Sequence, residues 1–175
     1  MMLEIFVPDL YIRDYRDLNL EELKGKGIKA LVIDIDNTLV PFDVAAPDAD
    51  AAAFLQAVLD SGIKPVIISN NHEDRVATFL KDFPIDYYYE SRKPLKKTYL
   101  RMMRDFDFKE EEVATIGDQL MTDVFGANRC GCYTILTHPL VKRDIFYTKP
   151  NRMMEKVVFY LLKKKGLFDR DTYEV

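Results

Sequence analysis

The chain has 175 residues, 48% hydrophobic and 31% charged, the balance of an ordinary soluble globular protein with room for one sizeable core. Its formal net charge of −4 gives no general reason to expect nucleic acid as a partner. The average conceals a polarity, because eight Lys or Arg face two acids between Lys142 and Gly166, a local +6 on a remainder of −10.

The opening M-M-L-E-I-F-V-P-D carries Glu4 and Asp9 and has no uninterrupted apolar stretch of the kind a leader needs. Lys29–Asp36 reads as a buried strand, and a helix is expected over Pro47–Ser61, with Pro47 in its first turn and Gly62 as its stop. K-P-V-I-I-S-N (64–70) is a second apolar strand. The next segment, 72–83, places Val76, Phe79, Leu80 and Phe83 on one helical face, and Asn71 is expected to cap it. Asp86–Glu90 reads as a third strand, and Pro94 as the start of a helix reaching about Phe106. V-A-T-I-G (113–117) is a fourth strand, followed by a helix ending near Gly131. C-Y-T-I-L-T (132–137) is the fifth, and a last helix runs from Pro150 to the stop at Gly166. V-V-F-Y-L-L within it is too short to span a bilayer. Cys130 and Cys132, as C-G-C, suit neither a structural disulfide nor a zinc site, and read as reduced, packed thiols of a cytosolic protein.

Strand–helix alternation of this kind predicts an α/β architecture, a five-stranded and mainly parallel sheet with helices on both faces. It treats residues 1–175 as one domain, with segment 1–28 and the helix 150–166 packed on the core. In such sheets ligands bind beyond the carboxyl ends of the strands. The polar residues with chemical potential collect there: Asp34 and Asp36 after the first strand, Ser69 after the second, Lys93 after the third, and Asp118 after the fourth. An acidic, oxygen-rich cluster favours Mg²⁺, shared with phosphate oxygens and water. An ionised Asp34 can then attack phosphorus, Asp36 can exchange protons with the leaving and entering oxygens, and Ser69 and Lys93 can hold the phosphoryl oxygens.

These residues also carry a resemblance. D-I-D-N-T-L (34–39), I-I-S-N-N (67–71), K-P (93–94) and G-D-Q-L-M-T-D (117–123) resemble, in order, the four motifs of the haloacid dehalogenase (HAD) superfamily of phosphohydrolases. The resemblance implies a three-layer Rossmann-like HAD fold. Asp34 would be nucleophile and metal ligand, and Asp36 acid/base and a metal ligand through its carbonyl. Asp118 would be a further metal ligand, Ser69, Asn70 and Lys93 the phosphate-binding groups, and Thr38 and Asp123 supporting residues. Only one helix separates motifs I and II, and Asn71 to Arg92 holds only a helix and a short strand, which leaves no room for a cap domain.

V-P-D-L-Y (7–11), D-N-T-L-V (36–40), S-N-N (69–71) and K-P-N-R-M-M-E (149–155) are further similar to the YqeG-like branch of capless subfamily IIIA, which includes phosphatidylglycerophosphate phosphatases. That likeness implies a lipid-linked phosphomonoester; the thiols point to a cytoplasmic protein, and the basic C-terminal segment to a peripheral place on the inner face of a membrane. Lys142, Arg143, Lys149 and Lys163–Lys165 could bring it to anionic lipid. The same helix, with Met153, Met154, Val157, Leu161 and Phe159 or Val158 over a wide face, is more readily read as cover for the sheet, its lysines reaching outward. A soluble sugar phosphate, with the site closed by oligomerisation, and a non-catalytic scaffold on the same fold are the rival readings.

Overall fold

The strand Ala30–Ile33 has all four residues buried, and alternate side chains leave it on opposite sides. Leu31 and Ile33 join one apolar cluster, while Ala30 and Val32 join another, so two layers of helix are needed to cover them. The computed structural model, which describes residues 3–141 and 149–170 (for 149–151 the backbone alone), supplies both. In chain order the strands are β1 (Leu10–Ile12), β2 (Ala30–Ile33), β3 (Lys64–Ile68), β4 (Asp86–Tyr88), β5 (Val113–Gly117) and β6 (Tyr133–Thr137). They form one sheet in the order β1-β6-β5-β2-β3-β4, every neighbouring pair parallel.

The sheet therefore has six strands where five were expected. The added one, β1, is three residues long and pairs with β6 through Leu10–Ile135, Tyr11–Leu136 and Ile12–Thr137. The helices are α1 (Leu20–Gly25), α2 (Ala49–Ser61), α3 (Glu73–Phe79), α4 (Lys97–Asp105), α5 (Phe125–Asn128) and α6 (Lys149–Lys164). Leu23 of α1, Leu55 and Val58 of α2, and Val76 and Phe79 of α3 pack with Leu31, Ile33 and Ile67 on one face. Tyr99, Met102 and Met103 of α4 and Ala127 of α5 pack with Val32, Val66 and Ile68 on the other. Each Val, Leu, Ile, Phe or Met among them, fully buried, contributes about 1.5–3 kcal/mol.

Helix boundaries shift for identifiable reasons. α2 starts after Asp48, whose carboxylate accepts from the Ala51 amide at 2.8 Å, so Pro47 lies just outside the helix. It stops at Gly62, whose φ of +84° is the left-handed cap that a residue with a Cβ resists. α3 is shorter than expected and begins after His72, and the Asn71 side chain is engaged elsewhere and does not cap its inner amides. α4 begins at Lys97, a turn later than Pro94 suggested. Leu120–Val124 is a π-helical turn leading into α5.

The faces of α6 also differ from expectation. Val158, Phe159 and Leu162 pack with Tyr11, Leu120, Val124 and Leu136. Met153, Met154, Val157, Tyr160 and Leu161 are exposed, and Glu155 is buried in their place. The Glu155 carboxylate accepts from the Met121 amide at 3.4 Å, and this contact turns its side of the helix inward. Lys142 and Arg143 lie outside the described residues, as does the Lys149 side chain. No described helix is long and apolar enough to cross a membrane.

The order of the strands creates the site. The chain leaves β2 through β3 and β4 and then returns to β2's other side as β5. The carboxyl ends of β2 and β5 thus border the switch-point crevice in which open α/β sheets bind ligands. Among the described residues, only a loop and α2 join β2 to β3, and only a loop and α3 join β3 to β4, so no cap domain covers that edge.

Candidate active site

Strand register brings the acids together. Ile33 pairs with Ile116 and with Ile67, so Asp34 is level with Gly117 and Ile68 and one step before both Asp118 and Ser69. The Asp34 amide extends the ladder by donating to the Ile116 carbonyl at 3.0 Å. The loop beyond it is wound tightly, with the Thr38, Leu39 and Val40 amides all directed at the Ile35 carbonyl. Asn37, at φ +64°, makes that reversal, as asparagine tolerates better than bulky or β-branched residues. Thr38 in turn donates its hydroxyl to Asp34 Oδ2 at 3.2 Å.

Lys93 is the centre of the charge arrangement. Its ammonium donates to Asp34 Oδ1 at 2.6 Å and to Asp123 Oδ1 at 2.7 Å, and all three side chains are almost wholly buried. Burial disfavours the ammonium, but Asp123 and Asp34 outweigh it and hold the Lys93 pKa well above its ordinary value. Burial pushes Asp34 up to about 7 against the pull of Lys93, with repulsion from Asp123 and Asp36 adding to the rise. Asp118 is likewise pushed well above the usual carboxylate range by burial, opposed by the Arg152 guanidinium beside it.

One carboxylate oxygen from each of Asp34, Asp118 and Asp123 lies within 4.8 Å of the others. Asp118 Oδ1 is buried without a hydrogen-bond partner, an expensive state for a carboxylate oxygen. Three converging carboxylates with one unpartnered oxygen fit a hard divalent cation. The Asp36 carboxylate is not part of that cluster. It accepts from Arg75 at 2.9 Å and from Asn71 Nδ2 at 3.1 Å, which fix it at the rim of the site.

Ser69 is buried, and its hydroxyl accepts from the Asn71 amide at 3.0 Å. Asn70, expected beside it as a phosphate ligand, spends its side chain on the chain that carries the lysine. Its Oδ1 accepts from the Lys93 amide at 2.6 Å and from Ser91 Oγ at 2.8 Å, and its Nδ2 donates to the Lys93 carbonyl at 3.2 Å. The end of β3 thereby holds the Lys93 backbone from both sides.

Gly117 is required by this packing. A Cβ there would lie 2.4–2.6 Å from the Asp123 side chain, closer than any real contact. Gly117→Ala is therefore expected to displace Asp123 from Lys93 and to lower stability by roughly 1–3 kcal/mol, measured by urea denaturation. A variant as stable as wild type would contradict the packing.

A buried aspartate after the central strand, a lysine shared between it and Asp123, and a further acid, Asp118, at the next strand end are the arrangement expected of a phosphomonoesterase of the HAD type. The comparisons are consistent with this. The sequence model of a family described as mitochondrial PGP phosphatase matches residues 2–142. The chain is 37% identical over 166 residues to the probable phosphatase YqeG of Bacillus subtilis (strain 168), covering 95% of this chain and 96% of that one. It is 28% identical over 176 residues to phosphatidylglycerophosphate phosphatase 1, chloroplastic/mitochondrial, of Arabidopsis thaliana, covering 94% of this chain but spanning only 50% of that protein. The fold resembles that of 3-deoxy-D-manno-octulosonate 8-phosphate phosphatase from Moraxella catarrhalis, solved with magnesium, phosphate and KDO. There the TM-score is 0.50 at 16% identity, over 83% of this chain and 92% of that one. The chain belongs to the mitochondrial PGP phosphatase family.

Two cations at the site were not anticipated. Arg75, on α3, pairs with Asp36, and Arg152, in the first turn of α6, pairs with Asp118. Neither has a local signal, since each meets its partner only through the fold. The K-P-N-R-M-M-E stretch (149–155) contained Arg152 but pointed to the family rather than to the site. His72 faces Glu90 at an exposed position, His138 stacks on Tyr11, and both cysteines are free and buried, so none of these four joins the cluster.

Proposed function

We propose that this protein hydrolyses phosphomonoesters through an aspartyl-phosphate on Asp34, with Mg²⁺ as its cation and a lipid-linked phosphate such as phosphatidylglycerophosphate as its substrate. The observation that carries this reading is the buried Asp34 carboxylate, aligned by Thr38 and Lys93 beside the unpartnered oxygen of Asp118. Asp34, Asp118 and the carbonyl of Asp36 would hold the ion, with the Asp123 carboxylate converging on it, and the ion, when bound, would offset the charge of the phosphoryl oxygens.

Asp34 attacks phosphorus, and the P–O bond to the leaving group breaks as the new bond forms. Asp36, anchored by Arg75 and Asn71, protonates the departing oxygen and then takes a proton from the water that cleaves the acyl phosphate. Free phosphate departs, leaving Asp34 ionised and Asp36 protonated as at the start. Lys93 and Ser69 steady the phosphoryl oxygens in both steps.

The lipid preference is supported by the relatives and by the two-sided α6. Its exposed side carries Met153, Met154, Val157, Tyr160 and Leu161, with Lys156, Lys163 and Lys164 alongside. An apolar stripe bordered by lysines suits an anionic lipid surface. Among the described residues, no cap domain is inserted between the strands whose ends carry the site.

Phosphate release from phosphatidylglycerophosphate in mixed micelles should exceed that from soluble sugar phosphates, nucleotides and phosphopeptides. A soluble winner would overturn the lipid assignment, and release from none of them would overturn the chemistry. Because Asp34 holds a proton up to about 7, the cation must displace it. Mg²⁺ affinity is therefore expected to rise from about pH 6 to about pH 8, with proton release on binding. Calorimetry in buffers of different ionisation enthalpy measures both, and a pH-independent affinity would contradict the role given to Asp34.

A further inference from the structure

The contact between α6 and the cluster is more specific than cover for a sheet requires. The Arg152 guanidinium pairs through Nη2 with the Asp118 carboxylate, and its Nη1 donates to the Asp118 carbonyl at 3.0 Å. The same Nη1 donates to Glu155 Oε2 at 3.0 Å, one helical turn on. Glu155 is buried, and its other oxygen accepts from the Met121 amide at 3.4 Å. Arg152 and Glu155 together grip residues 118–121 at three points, in a region also held by the apolar contacts of Leu120 and Val124 and by hydrogen bonds to Gln119.

The grip is selective at Asp118. Arg152 occupies one carboxylate oxygen and the backbone carbonyl, and Oδ1 stays buried and unpartnered among the described residues. A planar guanidinium can hold carboxylate and carbonyl in one geometry, which a lysine ammonium cannot reproduce. We propose that Arg152 is a positioning residue for the cation site, fixing the Asp118 side chain so that its free oxygen meets those of Asp34 and Asp123. Glu155 orients Arg152 in turn. The inference rests on the reading of the acid cluster as a divalent-cation site.

Mg²⁺ titration of the full chain by calorimetry, with circular-dichroism melting of each variant, tests it. Arg152→Ala is expected to weaken Mg²⁺ binding by roughly 10- to 100-fold, the usual effect of losing a partner that orients a metal ligand. Arg152→Lys keeps a cation on α6, and so guards against a variant that fails to fold. It is expected to recover part of the affinity at a near-native melting temperature. Wild-type affinity in a folded Arg152→Ala or Arg152→Lys protein would overturn the proposal. So would tighter binding in Arg152→Ala, the mark of a guanidinium that competes with the ion. If the wild-type protein binds no Mg²⁺, the cation site itself fails, and the positioning role fails with it, a result the variants alone could not produce.

Discussion

Asp34→Asn should retain the fold and lose turnover of an aryl phosphate by on the order of 10⁴-fold or more, the scale on which removal of a nucleophile acts. The amide has nearly the shape of the carboxylate and keeps an oxygen for the Thr38 hydroxyl or the Lys93 ammonium. Lys93 retains Asp123, so its charge stays paired. What disappears is the anionic oxygen proposed to attack phosphorus, and no neighbouring group among the described residues stands in the same place at the end of β2. Initial rates with p-nitrophenyl phosphate and Mg²⁺, beside a far-UV spectrum and melting curve, separate chemistry from folding. Wild-type rates in this variant would eliminate the aspartyl-phosphate route.

Lys93→Met is expected to damage both stability and activity. The side chain volume is preserved, but Asp34 and Asp123 lose the cation they share inside the protein. Removing one partner of a buried ion pair costs about 3–5 kcal/mol, because the remaining charge is left uncompensated. The cost should depend on pH in a defined direction. Asp34 already sits near 7 against an ordinary 3.8, and without Lys93 its folded pKa rises further. A carboxylate raised on folding favours the folded state below its unfolded pKa, and that contribution is lost as pH rises through the folded value. The deficit measured by urea denaturation should therefore be larger at about pH 8 than at about pH 5.5, with added Mg²⁺ reducing it. Equal deficits at both values would mean that the three groups are not coupled as described. Activity should fall by roughly 10²–10³-fold through loss of a donor to the phosphoryl oxygens.

Much of this site was legible because buried parallel strands are simple objects. Four or five consecutive apolar residues mark their interiors, so a polar residue just beyond, such as Asp34, Ser69 or Asp118, stands at the edge where ligands bind. β1 escaped notice because three residues between Asp9 and Arg13 show no period. Only the parallel pairing with β6, more than a hundred residues away, makes them a strand. Arg75 and Arg152 were invisible for the same reason, since each finds its aspartate across the fold. The faces of α6 were misassigned because its apolar residues lie on two sides. Hydrophobic periodicity cannot choose between such sides when a buried glutamate occupies the inner one.

The ion pairs around the cluster can also be weighed as a charge balance. Among the described residues they join five carboxylates, Asp34, Asp36, Asp118, Asp123 and Glu155, to three cationic side chains, Arg75, Lys93 and Arg152. Fully ionised, these eight side chains sum to two negative charges, and each proton held by a carboxylate lowers that sum by one. Under the proposed reading, a divalent cation would offset this charge before an arriving phosphate met it. A monovalent ion would offset less of it. Charge balance would then favour a divalent ion alongside ligand geometry, and Arg75 and Arg152 belong to that balance as much as the acids do.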